Sequence, residues 1–458
     1  MTLSPEQIVE RGLGHARGDG AVVLVHDASA VNLRFANTSL TTNGAEEQRR
    51  VSVVAVAGGA VGVVSRSGLS DDRDVADLVA AAEAVARANP PAEDAAPLAD
   101  GPADPGFADA APGTGIEVFA GLVDGLAAAF DRVRGADRGL FGFARHEVVT
   151  SYLGSSTGLR RRHVQPTGTL ELTCRAGDGA ASAWAGRASR DFRDVDVTGL
   201  VDEVGRRLDW SARRVELPAG RYETLLPPSA VADLVTYLYL SMSARAAHDG
   251  RSPLSRAGGG TRVGEALTGL PLSLRSDPVE AGLECSPFVE TPVSSELGSV
   301  FDNGLAVARS DWIRDGRIEA LVSTRHSATL TGLPVRPYVD NLVLDVADPG
   351  SDLAGMIGST GRGLLLTCLW YIREVDPETL LLTGLTRDGV FLVEGGEVVG
   401  AVNNFRFNES PITLLGRLAE VGPTAPTLSR EFNEYLTRVA APPVRIADFH
   451  MSSVSQAS

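Results

Sequence analysis

The stretch from Gly358 to Asn408 reads GSTGRGLLLTCLWYIREVDPETLLLTGLTRDGVFLVEGGEVVGAVNNFRFN. A hydrophobic strand opens it, a polar loop follows, and a hairpin turns at Glu394-Gly395-Gly396-Glu397 before an Asn403-Asn404 exit. Two consecutive glycines between apolar runs supply the backbone freedom that a tight hairpin turn needs. Working outward, Asn303-Gly304, Asp315-Gly316 and Asp388-Gly389 also stand between short alternating runs. That is an antiparallel signature, so residues 219–458 are expected to form a β-rich domain. One continuous amphipathic helix is expected over Ser229 to Ala247 at its start.

Upstream the pattern changes. Thr2 to Ala16 reads as a helix, with Ser4-Pro5-Glu6 as cap and first turn. Ala21 to His26 and Val51 to Val64 are Val-rich strand-like runs, and Ser70 to Ala88 is an Ala/Val helix with an Asp-rich first turn. Asn89 to Gly113 has no periodicity and reads as a linker or a long surface crossing. Gly115 to Val133 reads as a helix, Gly139 to Ala185 alternates as in a sheet, and Val195 to Arg207 is helical again. No internal repeat is legible. The expected class is α+β: an N-terminal α/β region over 1–112, a middle α/β segment over 113–218, and the mainly antiparallel domain over 219–458.

Composition narrows the function. At 458 residues the chain is long enough for two or three domains. A net charge of −16 opposes a surface that neutralises many phosphates, so nucleic acid is not an expected ligand. All 42 basic residues are Arg, which excludes Lys-based Schiff-base chemistry. Three widely spaced cysteines, Cys174, Cys285 and Cys368, suit reduced thiols. No leader pattern and no apolar run of about 18 residues is found, so a cytoplasmic, non-membrane protein is expected.

Gly363-Leu364-Leu365-Leu366-Thr367, then Thr383-Gly384-Leu385-Thr386-Arg387-Asp388-Gly389, then Gly389-Val390-Phe391-Leu392-Val393-Glu394-Gly395-Gly396-Glu397-Val398 resemble, in order, the C-terminal signature of the TldD/PmbA family, also called modulators of DNA gyrase. Gly220-Arg221-Tyr222-Glu223-Thr224-Leu225-Leu226-Pro227-Pro228 is similar to the lead-in of that family's C-terminal domain. TldD-type members carry a His-Glu-x-x-x-His helix and a later Cys that suit zinc. The corresponding helix here contains no His, and matching on Arg262-Val263-Gly264-Glu265 puts Tyr239 to Arg245 at the ligand positions. The resemblance therefore implies a TldE/PmbA-like member: the metal-free, non-catalytic subunit of a heterodimeric metallopeptidase. Zinc would sit on a TldD-type partner, and this chain would complete a cleft for small or unfolded peptides. A homodimer is expected when the partner is absent. Two alternatives stay open, a peptide-binding or assembly accessory in peptide or secondary-metabolite maturation, and a stand-alone hydrolase with a rebuilt site.

Individual side chains have competing readings. His248 is a metal ligand or a solvated helix-end histidine; Gly250 and Pro253 end the helix just beyond it. His146-Glu147 lacks a second His at the spacing of a zinc protease. His326, within Ser323 to Ala328, stands near a peptide groove or makes ordinary loop hydrogen bonds. Cys368, in an apolar strand, is a small buried hydrophobe or a nucleophile. Arg256 to Arg262 lacks a P-loop Lys and reads as a flexible loop. The strands Leu364 to Leu369 and Leu380 to Thr383 either offer unpaired main chain to an extended peptide or pair within the domain. Arg362, Tyr371 and Arg387 flank them as candidates for holding a substrate or a partner. The candidates for peptide cleft or subunit contact are therefore His326, Arg362, Cys368, Tyr371 and Arg387.

Overall fold

The computed structural model describes residues 3–69, 71–176, 179 and 181–455; Thr2 and Ser70, expected to start two helices, lie outside them. The N-terminal half runs α1 (Pro5–His15), β1 (Gly20–Ala36), β2 (Ser39–Ala57), β3 (Ala60–Ser67) and α2 (Asp72–Ala88). After a crossing that contains one 3-10 turn, it continues as α3 (Ala120–Gly135), β4 (Arg138–Ser155), β5 (Arg160–Ala176), β6 (Ser182–Ser189) and α4 (Val197–Trp210). The same helix–three strands–helix order thus occurs twice, although no repeat is visible in the residues. The six strands form one sheet in the order β3-β2-β1-β4-β5-β6, antiparallel throughout. Segments 1–112 and 113–218 meet at β1 and β4, which pair from Val22↔Ser155 to Phe35↔Gly142.

Val51 to Val64 is two strands rather than one, because Gly58 (φ +58) and Gly59 (φ +78) turn β2 into β3. Sequence periodicity misses the outer part of this hairpin because Ser39 to Gln48 is exposed on both faces and needs no apolar alternation. Helices α1 and α2 cover one end of one face through Ile8, Val9, Val75, Leu78 and Val79. Helices α3 and α4 cover the other end through Leu122, Leu126, Leu200 and Val204. The crossing at 89–113 has no helix and is held to the sheet, with Phe107 buried and Tyr152 Oη donating to the Asp109 carbonyl at 2.6 Å.

The C-terminal domain runs β7 (Arg214–Val215), β8 (Gly220–Leu226), α5 (Pro228–Leu240), α6 (Ala244–His248), β9 (Leu272–Ser276), β10 (Ser310–Arg314), β11 (Arg317–Ile318), α7 (Arg325–Thr331), β12 (Leu342–Val346), α8 (Leu353–Ser359), β13 (Arg362–Leu366), β14 (Leu369–Asp376), β15 (Leu381–Thr386), β16 (Val390–Glu394), β17 (Glu397–Val402), β18 (Phe405–Glu409), α9 (Pro411–Leu415), β19 (Leu418–Val421), β20 (Ala425–Thr427), β21 (Val439–Ala441) and β22 (Val444–Val454). One sheet is ordered β11-β10-β9-β12-β21-β20; the other runs β14-β15-β18-β22-β8-β13-β16-β17-β7, with β19 on β22. The pairing is mainly antiparallel, as α+β requires, with parallel contacts at β8·β13, β12·β21 and β7·β17.

The expected hairpin at 394–397 forms, with both glycines at positive φ. Asp388-Gly389 instead joins β15 to β16, which do not pair. The continuous helix over 229–247 is broken: the Met242 carbonyl accepts from Val322 N at 2.8 Å and Ala244 N donates to the Val322 carbonyl at 2.9 Å. Those groups leave the helical ladder for a neighbouring segment, and Ser243 Oγ caps the new helix at Ala246 N. Helix α5 is apolar on nearly all sides and runs through the main core.

Candidate functional site

A cavity of about 1110 Å³ lies between the first sheet and the C-terminal domain. Its floor is the sheet face that carries Arg34, Phe141, Phe143, Glu171 and Trp184; its roof is Trp370 to Arg373 on β14 and the segment Arg430 to Tyr435. The pairings Arg34↔Phe143, Phe143↔Glu171 and Thr173↔Trp184 put these floor residues on one side, because directly paired residues share a face.

Arg430 stands at the join. Its guanidinium carbon lies 5.3 Å from the Trp184 ring centroid and 4.9 Å from that of Trp370, so one cation is stacked between indoles from both halves of the molecule. Nη1 donates to Asp388 Oδ2 at 2.5 Å and approaches Cys368 Sγ at 3.1 Å. Ser182 Oγ donates to the other oxygen of Asp388. The Glu171 carboxylate accepts from Trp184 Nε1 at 3.1 Å and Asn433 Nδ2 at 3.3 Å; burial raises its pKa and these donors oppose the rise.

The segment that carries Arg430 is fixed from below. Asp233, on the first turns of α5 and 1 % exposed, accepts from the main-chain N–H groups of Glu431 at 2.8 Å, Phe432 at 3.3 Å and Arg430 at 3.4 Å. Burial pushes its carboxyl up to about 7, while those N–H donors pull it down. Edge-to-face packing of Tyr237 on Phe432, with centroids 5.3 Å apart, holds the same segment.

Of the five candidates, Tyr371 lines this cavity, and Cys368 stays outside the lining, its Sγ 3.1 Å from Arg430 Nη1. Burial pushes the Cys368 thiol up to about 12, so the thiolate form is scarce. Arg387 lies beside Asp388, on a separate surface hollow. Arg362 pairs with Glu394 across β13·β16, away from the cavity. His326, on α7, faces Arg245 Nη1 at 3.0 Å and Glu93 at 3.7 Å. His146 is buried in β4 between Thr114 and the Arg190 carbonyl, and His248 ends α6 exposed.

Two readings of open main chain need correction. Strand β13 is paired on both sides, with β8 and β16, and β15 is paired with β14 and β18, so neither offers a free edge. The strand that does end the sheet beside the cavity is β14.

The side chains at the two ends of the expected ligand positions are engaged elsewhere. Tyr239 is buried and exchanges hydrogen bonds with the Val339 main chain, and Arg245 is a cation held by Asp249 and Glu93. His326 and Cys368 each face a guanidinium, which opposes a second cation. Among the described residues no group of three or more His, Cys, Asp or Glu is arranged to hold a metal ion.

Arg430, Trp184, Trp370, Glu171 and Glu431 escape sequence reading because three distant segments supply them. Asp233 carried a signal: it is the one ionisable acid in the otherwise apolar run Ala230 to Leu240.

Comparison with known proteins follows this geometry. The model of the PmbA/TldA metallopeptidase C-terminal domain matches residues 219–453, and that of the central domain matches 116–212. No curated protein matches the chain. Among solved structures, TldE from Thermococcus kodakarensis superposes with a TM-score of 0.78 at 17% identity, over 97% of this chain and 99% of the other. A candidate modulator of DNA gyrase from Bacteroides thetaiotaomicron gives 0.76 at 16%, over 98% of each chain. Another from Thermotoga maritima gives 0.73 at 15%, over 94% and 95%. At these identities the structural likeness speaks for the fold.

Proposed function

The chain belongs to the PmbA/TldD metallopeptidase family, and from that premise we propose that it is the non-catalytic subunit of a two-subunit peptidase, completing the peptide cleft of a TldD-type partner. One observation carries this reading. The helix that would hold a metal in a catalytic member turns its carboxylate, Asp233, onto the main chain of 430–432, and the Arg430 guanidinium stands in the cleft between Trp184 and Trp370. A fixed cation there repels a metal ion and suits the carbonyls and aromatic side chains of a peptide. In this reading the partner carries zinc and the hydrolytic step, and this chain supplies shape, stacking surface and hydrogen bonds in the cytoplasm. Among the described residues no helix is long and apolar enough to cross a membrane.

The test is metal content together with reconstitution. Protein expressed alone in zinc-supplemented medium and washed with a weak chelator is expected to hold near-zero metal by mass spectrometry and to cleave no peptide. Mixed with a TldD-type subunit it is expected to form a complex that cleaves small peptides. About one zinc per chain, or hydrolysis by the chain alone, would overturn the proposal. A stable complex that binds peptides and leaves them intact would favour the accessory reading.

A further inference from the structure

The free edge of β14 is occupied by a side chain. Glu431 Oε2 accepts from the main-chain N–H of Tyr371 at 3.1 Å, and Oε1 accepts from that of Ile372 at 3.2 Å and from Arg373 Nη1 at 2.9 Å. Tyr371 sits at φ +54, in the left-handed region that a bulky residue adopts only when its surroundings impose it. The ladder with β15 is irregular from Trp370 to Arg373, and the two N–H groups converge on one carboxylate. Two successive N–H donors turned to one side, with a guanidinium added, make a cradle for an anion with two oxygens. The Arg373 guanidinium is in turn placed over the Tyr371 ring, 4.4 Å from its centroid.

We propose that this cradle is a binding site for the C-terminal carboxylate of a peptide, and that Glu431 fills it in the resting chain as an internal stand-in. An α-carboxylate presents the same pair of oxygens to the same three donors. The cradle opens into the large cavity, where Phe143, Tyr237 and Tyr435 offer aromatic surface to the terminal side chain. Only the Glu431 side chain has to rotate to vacate it, because Asp233 anchors the main chain at 430–432. The proposal deepens the cleft reading, on which it rests, by naming the peptide terminus that is recognised.

The experiment compares N-acetylated tetrapeptides ending in Phe, one with a free carboxylate and one with a carboxamide, by calorimetric titration of the full chain. Charge-assisted hydrogen bonds predict that Glu431→Ala binds the free acid about tenfold or more tighter than the amide. The wild type, with its own carboxylate in place, should bind the acid about tenfold more weakly than the variant does. Adding Arg373→Met should remove most of the preference for the acid, and unchanged circular dichroism establishes that each variant is folded. Equal binding of acid and amide by folded Glu431→Ala would overturn this site and leave the peptide cleft standing. Binding of neither by the folded variant would overturn this site, and the reconstitution with a TldD-type subunit then decides the cleft reading.

Discussion

Asp233→Asn isolates the contribution of one buried carboxyl group. In the folded chain its pKa is about 7, against an ordinary value of 3.8. A raised acid pKa means that the folded state holds a proton which the unfolded chain releases. The associated stability is complete below about pH 3.8, is lost as pH rises, and levels off above 7. Between pH 5.5 and 8 the loss spans about 1.5 pH units, which at about 1.4 kcal/mol per unit is about 2 kcal/mol. Asn keeps an acceptor for the N–H groups of Glu431 and Phe432 and does not titrate. The variant should therefore gain about 2 kcal/mol relative to wild type on going from pH 5.5 to 8. The assay is urea unfolding of both proteins at both pH values. With an m-value of about 3 kcal/mol per molar or more, the difference between the two midpoints should move by up to about 0.7 M. A difference that stays constant between the two pH values would refute the reasoning, because it would mean that the folded and unfolded chains bind the same number of protons at Asp233 throughout that range.

Replacing Arg430 by Met leaves the buried Asp388 with Ser182 and the looser Arg387 contact at 3.8 Å, and should cost about 3 kcal/mol in urea unfolding; it should also change the emission of Trp184 and Trp370. Cys174, Cys285 and Cys368 are all buried with thiol pKa values raised by burial, so a disulfide reagent at pH 8 should titrate essentially none of them in the native chain and all three in urea. Gly62→Ala would place a Cβ 2.1 Å from the Ala82 carbonyl oxygen and 2.3 Å from Ala86 N, forcing α2 off β3 at a cost of about 1–3 kcal/mol, measurable as a lower unfolding midpoint.

What the sequence made legible was local. The Gly395-Gly396 hairpin follows from two residues that tolerate positive φ, and α1, α2 and α4 follow from caps and apolar spacing. The break after Leu240 was not legible, because it depends on Met242 and Ala244 bonding to Val322, some eighty residues away in the chain. The doubled helix–strands–helix unit was hidden for a different reason. Its two copies share the order of elements and the mirrored strand positions, while their exposed edges carry unrelated residues. The cavity required pairing information: Trp184 and Trp370 meet around Arg430 only because β6 and β14 are brought together by contacts that no short window contains. Tyr371 was found because it borders the most distinctive motif; Glu431, which touches its main chain, lies in a stretch with no periodicity.

The seam between β1 and β4 sets a timetable for synthesis. Val22 meets Ser155, so 155 − 22 = 133 residues must be added after the first partner is made. At about 5–20 residues per second, Val22 is made roughly 7–27 s before its β4 partner exists. During that interval Val22 to Val25, all buried in the finished protein, have β2 on one side and nothing from β4 on the other. A nascent chain halted between residues 60 and 140 therefore carries an uncovered apolar strand edge, and it is at that stage of translation that a holding chaperone would matter most.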